Sequence, residues 1–335
     1  MKLITFAVCC YNSAAYMEKC VSSLLVGGED VEIIIIDDGS KDATGEIADR
    51  LEKENPTIVR AVHQENSGHG GGVDHSLALA TGKYFKVVDS DDFLEPEALK
   101  KFLAELKGRE DLDLVVTDYV YHYEDRKDKT IRYGNVFPVN TVCTFKDVHH
   151  MKAYQYLTIH SVTYRTAFLK EQNLQIPKKT FYEDNYFIYA PLGKVEKILY
   201  LPYALYFYSI GRPDQSVQKK VALGRYKDYV RVALICFPIH DLAAIKKENP
   251  RKYRILLHQM RITLIEALIH CRMKNDRESR LVFKKMKEEM KKLNPRQYRA
   301  FRWDFYCGSI FWPSFLGVMM ANIIYFVSHL VVRFN

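Results

Sequence analysis

Apolar runs and amphipathic stretches alternate over the first 120 residues, and each change of period marks an expected element. The stretches at 3–9, 31–36, 57–62, 84–88 and 112–117 read as strands, and those at 14–26, 42–54, 73–81 and 96–107 as helices. The run Val31-Glu32-Ile33-Ile34-Ile35-Ile36 is β-branched and nearly all apolar, the mark of a strand covered on both faces. Asn12 or Ser13 is placed to cap the first helix, and the glycine-rich stretch 66–72 reads as a loop. This alternation predicts an α/β fold with a mostly parallel, Rossmann-like sheet and helices on both faces.

The pattern changes twice further on. Residues 118–145 are rich in tyrosine and charge without clear period, and are expected to lie as extended segments over the site. Residues 146–215 read as a mixed helix-and-strand completion of the same domain, with Glu183-Asp184 opening a helical run Asn185–Tyr189. Beyond 216 everything reads as helix, broken at Asn249-Pro250 and Asn294-Pro295. The expected organisation is a domain over 1–215 followed by a helical region over 216–335.

Charge separates the same two parts. Of the net +8, residues 1–215 carry 25 Lys+Arg against 32 Asp+Glu, and residues 216–335 carry 24 against 9, or about −7 and +15. A basic region of this kind suits an anionic surface. Nucleic acid would ask for basic residues interleaved with stacking aromatics, of which Tyr253, Tyr298 and Phe301 give a faint version, so a lipid or phosphate surface is the preferred reading and no nucleic-acid partner is expected. Seven cysteines with no CxxC pair give neither a disulfide framework nor a zinc site, which fits a reducing cytosol. The apolar N-terminus is too brief for a signal-peptide core.

Phe311–Val332 holds no charged residue over its 22 positions. Ser314, Asn322, Tyr325, Ser328 and His329 gather on an arc of roughly 120° of a helical wheel, which favours an in-plane interfacial helix over a span or a buried core helix. Trp303, Trp312, Arg302 and Arg333 at its edges suit a membrane interface, and the cytoplasmic face of a membrane is the expected location.

Candidate chemistry sits at the strand ends. Asp89-Ser90-Asp91-Asp92 follows Tyr84–Val88 directly, so three carboxylates emerge where open α/β sheets bind ligands. Crowded carboxylates raise one another's pKa unless a cation or hydrogen-bond donors hold them ionised. A hard divalent ion with a substrate diphosphate is the natural partner. The competing reading is that Ser90-Asp91-Asp92 caps the following helix. A second acidic strand end, Asp37-Asp38-Gly39-Ser40, weighs toward the metal-diphosphate site.

Five stretches in order then resemble the family 2 glycosyltransferases of the GT-A fold: Thr5–Asn12, Ile36–Ser40, Asn66-Ser67-Gly68, Ala80–Tyr84 running into Asp89–Asp92, and Glu183-Asp184. The resemblance covers roughly residues 1–215. It implies that Cys9 and Tyr11 line the base pocket of a nucleotide-sugar donor, that Asp38 accepts from a base N–H, and that Asp89 and Asp91 reach ribose and metal. It further implies that Asp91 or Asp92 binds Mn²⁺ or Mg²⁺, that Asp184 is the general base held by Glu183, and that Arg212, in Gly211–Ser216, contacts the diphosphate. The implied activity is an inverting, metal-dependent transfer from a UDP-sugar to a glycan or lipid-linked acceptor in cell-surface polysaccharide synthesis. Two departures stand out. Cys9 replaces the usual proline, and His69-Gly70-Gly71-Gly72 replaces a loop that often carries an Arg-Asn pair. His63, His69 and His75 read as loop positions rather than a metal cluster.

Two other enzyme readings fail on residue type. A dinucleotide fingerprint would need glycine where Val73 stands, and an aspartyl phosphatase would need a nucleophile where Ile36 stands. The remaining alternative is a non-catalytic, membrane-associated binding protein on the same fold.

Overall fold

A computed structural model describes residues 2–109, 112–212 and 215–332. Arg333, at the edge of the apolar segment, and Pro213 and Asp214 of the basic loop lie outside the described residues. The chain separates into two compact units: Met1–His149 with Leu157–Thr180 and Lys194–Ile210, and His150–Tyr156 with Phe181–Gly193 and Gly211–Asn335.

The first unit is built on one mixed sheet. Its strands are β1 (Ile4–Cys10), β2 (Val31–Asp37), β3 (Val59–His63), β4 (Tyr84–Asp89), β5 (Phe93–Leu94), β6 (Leu114–Tyr123), β7 (Lys129–Ile131), β8 (Val142–Cys143), β9 (Val162–Arg165) and β10 (Ile198–Ile210). Their order is β3-β2-β1-β4-β9-β6-β10-β5, with β7 beside β6 and β8 beside β10. β1 pairs in parallel with β2 and β4, β2 with β3, and β6 with β10, whereas β9 enters antiparallel between β4 and β6. Helices α1 (Met17–Leu25), α2 (Thr44–Glu54), α3 (His69–Leu79), α4 (Pro96–Leu106) and α5 (Thr166–Glu171) belong to the same unit.

Central strands are apolar on both faces, as the sequence requires: Ile4, Phe6, Ala7 and Val8 of β1 and Ile33–Ile36 of β2 are fully buried. The one hydroxyl within β1, on Thr5, is satisfied where it lies. It donates to Glu32 at 2.5 Å and accepts from the Gly82 N–H at 2.9 Å.

Three local expectations are corrected. Asn12 and Ser13 do not cap α1: Asn12 Oδ1 accepts from the Lys41 N–H at 2.9 Å, and Ser13 Oγ bonds Ser90 Oγ at 2.8 Å. These side chains tie neighbouring strand ends together instead. The glycine-rich stretch is not all loop, because α3 begins at His69. A Cβ on Gly72 would stand 2.7 Å from the Cys9 sulfur, so glycine there lets the helix pack on β1. Residues 118–123 are not a separate covering segment but complete the buried strand β6. Their polar groups pair inside the sheet: Asp118 accepts from Tyr200 Oη at 2.7 Å and the Tyr133 N–H at 3.2 Å, and the Tyr119 and Tyr121 hydroxyls bond each other at 3.0 Å. A polar sequence was therefore compatible with burial.

The second unit is helical: α6 (Asp184–Leu192), α7 (Lys219–Gly224), α8 (Tyr226–Cys236), α9 (Leu242–Glu248), α10 (Pro250–Lys274), α11 (Arg277–Leu293), α12 (Pro295–Arg302) and α13 (Ser314–Val332). Both Asn-Pro pairs start helices. The Asn249 side chain accepts from the N–H groups of Arg251 and Lys252 and the Asn294 side chain from that of Gln297, while proline takes the first helical position, where no N–H is needed. Leu256, Met260, Leu264 and Leu268 of α10 are fully buried and form the unit's spine.

Candidate active site

Parallel register assembles the donor-side residues. Cys10 lies opposite Asp37 and Cys9 opposite Asp89, so the acidic ends of β2 and β4 flank the end of β1. Tyr11 follows β1 and is half exposed. Asp37 accepts from the Ser40 N–H at 3.0 Å and pairs with His63 at 3.0 Å. Burial pushes the Asp37 pKa up, but these partners outweigh it and hold the carboxyl below its ordinary value. Asp38 is buried, and its carboxylate accepts from the N–H groups of Ser67 at 2.7 Å and Gly68 at 2.8 Å and from Gln64 Nε2 at 2.7 Å. Asp38 thus fixes the chain entering α3, where Gly68 has φ +77°.

The turn 89–92 is held by β10. Tyr206 Oη donates to Asp92 Oδ2 at 2.6 Å and accepts from the Asp89 N–H at 3.1 Å, while the Ser209 N–H donates to Asp92 Oδ1 at 2.8 Å. Capping by this turn is excluded by α4, whose N-cap is Glu95, with its side chain accepting from the Ala98 N–H. Asp91 stands half-buried at the turn, and Asp92 is buried. Burial, then the charges of Asp91 and Asp89, pushes the Asp92 pKa well up, so its ionised form calls for a cation.

Two histidines flank Asp89. His69 Nε2, on the first residue of α3, lies 3.2 Å from Oδ1, and His160 Nε2 lies 3.7 Å from Oδ2. Burial raises the Asp89 pKa, but the two imidazoles more than reverse that and hold it far below the usual carboxylate range. Ligand atoms of Asp89, Asp92 and His160 fall within 4.8 Å of one another, a set of oxygen and imidazole donors that fits Mn²⁺ or Mg²⁺. His63 and His75 do not join it: His63 bridges Asp37 and Asp49, and His75 bonds Gln64.

His160 is itself held from two sides. Its ring stacks on Tyr208 at 4.4 Å between centroids and meets Tyr206 at 4.7 Å. Beneath it, buried Lys86 of β4 donates to the backbone oxygens of His160 at 2.8 Å and Val162 at 3.1 Å. Burial lowers the Lys86 pKa to about 7. Sequence reasoning missed both residues. A lysine inside an otherwise apolar strand was a signal for the first, whereas His160 sits in an unpatterned loop.

Glu183, Asp184 and Arg212 belong to the second unit. Glu183 is buried at the start of α6, and Asp184 Oδ1 accepts from Asn185 Nδ2 at 3.3 Å. The side chain of Glu183, at the N-cap position, makes no capping bond. Tyr182 has φ +66° and stacks on Tyr229 at 3.5 Å between centroids. Burial, with the carboxylates of Glu266 and Asp184, pushes its phenol up to about 12 against a hydrogen bond to Tyr229 that lowers it. Arg212 is half-buried, and its backbone oxygen accepts from Gln218 Nε2 at 3.2 Å.

Comparison with known proteins decides the family. The model for glycosyl transferase family 2 matches residues 5–174, half of the chain. The chain belongs to glycosyl transferase family 2. Among curated relatives, this family 2 chain is similar to the putative glycosyltransferase EpsH of Bacillus subtilis, at 27% identity over 65% of the chain and 64% of EpsH. It is also similar to the chondroitin synthase of Escherichia coli, at 35% identity over 41% of the chain and 20% of that protein. The chain thus spans just under two thirds of EpsH and a fifth of the synthase. Among solved structures it resembles S. aureus TarS 1–349 in complex with UDP-GlcNAc, with a TM-score of 0.67 at 20% identity, covering 99% of this chain and 90% of that one. A mannosyltransferase from Pyrobaculum calidifontis, in complex with GDP-Man and Mn²⁺, gives 0.52 at 14%, covering 98% and 86%. These likenesses carry the fold, a GT-A-type α/β sheet with helices at its C-terminal side of the chain.

Proposed function

We propose that the protein is an inverting glycosyltransferase that moves a sugar from a nucleotide-diphosphate donor, a UDP-sugar, to a glycan or lipid-linked acceptor in polysaccharide synthesis. The observation that carries this reading is the turn 89–92, set at the parallel strand edge by register and locked by Tyr206 and Ser209. The donor preference draws support from TarS, solved with UDP-GlcNAc. The acceptor class draws support from the chondroitin synthase relative.

On this reading Cys9, Tyr11 and Asp38 line the base pocket, with Asp38 accepting from a base N–H while its carboxylate also holds the 64–68 loop. Mn²⁺ or Mg²⁺ would be held by Asp91 and Asp92, with Asp89 and His160 completing the donor set. Held there, such an ion would supply positive charge against the leaving nucleoside diphosphate. Arg212 adds positive charge toward the same phosphates. Asp184, ordered by Glu183 and Asn185, takes the proton of the acceptor hydroxyl as that oxygen attacks the anomeric carbon, and a single displacement inverts the centre. On the same reading residues 1–215 carry out the transfer, and the basic residues 216–335 hold the enzyme at the cytoplasmic face of a membrane.

The test is titration of the full chain with UDP and GDP, each with and without Mn²⁺, beside Asp91→Ala. Metal-dependent UDP binding that the variant loses is the expected result. Absence of metal-dependent binding to either nucleotide would sink the donor-site reading and favour a binding protein.

A further inference from the structure

The last helix of the second unit is inside out for a water-soluble surface. Phe315, Leu316, Met319, Ile323, Phe326 and Val327 of α13 are exposed, Phe315 by 73% and Phe326 by 64%. At 100° per residue these six fall on one arc of roughly 120°. The opposite side, with Gly317 and Ala321, is buried in the unit. A Cβ on Gly317 would come 2.7 Å from Arg272 Nη2, so the small residues let α13 lie flat while its bulky side faces out. The preceding loop extends the patch with Trp303 at 80%, Phe305 at 90% and Trp312 at 41% exposure. Large apolar side chains exposed together on one helix face and on the loop that leads into it mark a contact surface.

Charge indicates what it meets. Residues 284–302, covering most of α11 and all of α12, carry eight Lys+Arg against two Glu and end directly at Trp303. α11 packs on α12, α12 on the turn Gly308–Phe311, and that turn on α13, so basic run and apolar patch are neighbours within one unit. Among the described residues no helix is long and apolar enough to cross a membrane. A second copy of this chain would bring like charges together around the patch, whereas anionic lipid headgroups would neutralise them.

We propose that α13 and the Trp303–Trp312 loop form a bilayer-docking face: the helix lies in the plane of an anionic lipid surface, its Phe315–Val327 stripe among the acyl chains and the α11–α12 cations against the headgroups. This deepens the membrane part of the proposed function and rests on it, but not on the transferase chemistry. It also changes the wheel read from sequence, since the exposed arc is the bulky apolar one and Asn322 shares it.

The chain's own fluorescence tests this, because its two tryptophans, Trp303 and Trp312, both lie in the patch. The full chain is mixed with vesicles of phosphatidylglycerol and phosphatidylcholine, with phosphatidylcholine alone, and with brominated lipid. The expected result is a blue shift and bromine quenching on the anionic vesicles, weakened by salt, and partitioning reduced by roughly tenfold or more in the double variant Phe315→Glu, Phe326→Glu. No shift on anionic vesicles would overturn the proposal. So would concentration-dependent self-association, abolished by the double variant, with no partitioning. Binding of UDP by the same preparation separates the outcomes: docking can fail while the donor site stands, and the reverse.

Discussion

Replacing Asp38 separates a loop anchor from a nucleotide contact. Its carboxylate accepts from two backbone N–H groups, Ser67 and Gly68, and from the Gln64 amide. In Asp38→Ala the Gln64 amide keeps a partner, because it also donates to Ser67 Oγ at 2.6 Å. The two N–H groups lose their acceptor in a part-buried place, each at the lower end of about 1–3 kcal/mol, so the variant should be destabilised by about 2–3 kcal/mol. Asp38→Asn retains one acceptor oxygen but turns an NH₂ toward the other donor, so about half that loss is expected. Urea unfolding of the full chain measures the global effect, and amide exchange across residues 64–72 measures the local one. Both variants should lose protection at Ser67 and Gly68 first. If Asp38→Asn proved as stable and as protected as wild type while UDP affinity fell, the carboxylate would be serving the nucleotide, and the anchor reading would be wrong.

Further outcomes follow from the same geometry. Asp184→Asn should bind UDP as wild type does while losing turnover by about 100-fold or more, the contribution of a general base; comparable loss of binding would contradict its role. His160→Ala removes one of the two imidazoles flanking Asp89, and isothermal titration should show Mn²⁺-dependent UDP affinity lowered by about tenfold, with unchanged affinity counting against His160 as a donor to the metal. His63, paired with Asp37 and Asp49, has a raised pKa, its hydrogen bonds to those carboxylates outweighing burial. Its stabilisation is fully present below the ordinary histidine pKa and fades as pH rises through the higher folded value. Being half exposed, the pair is worth less than about 1 kcal/mol. Melting curves across that window should converge for wild type and His63→Gln at the alkaline end, and parallel curves would refute the pairing.

Periodicity and residue type carried the sequence reading far at the strand ends. The largely apolar runs made β1, β2 and β4 legible because a strand covered on both faces buries nearly every side chain it carries, and the acidic residues that follow stood out against them. The Asn-Pro pairs were equally legible, since cap and first-turn chemistry are local. Asp89–Asp92 could be found in the same way, but not whether it caps a helix, a question answered by Glu95 occupying the cap of α4.

What only the tertiary structure decided was which distant groups satisfy one another. The polar strand β6 is buried because Asp118 and its tyrosines find partners across the sheet. Asp92 is shaped by Tyr206 and Ser209 and Asp89 by His160, contacts separated by more than 70 residues that leave no local period to read. The bulky face of α13 points outward because Gly317 and Ala321 allow closer packing, a steric choice a helical wheel does not contain. Sequence by itself determined the elements and the kind of chemistry at their ends, because hydrophobic period and residue type are local properties. Pairing, burial and charge neutralisation are set by long-range contacts, and those required the fold.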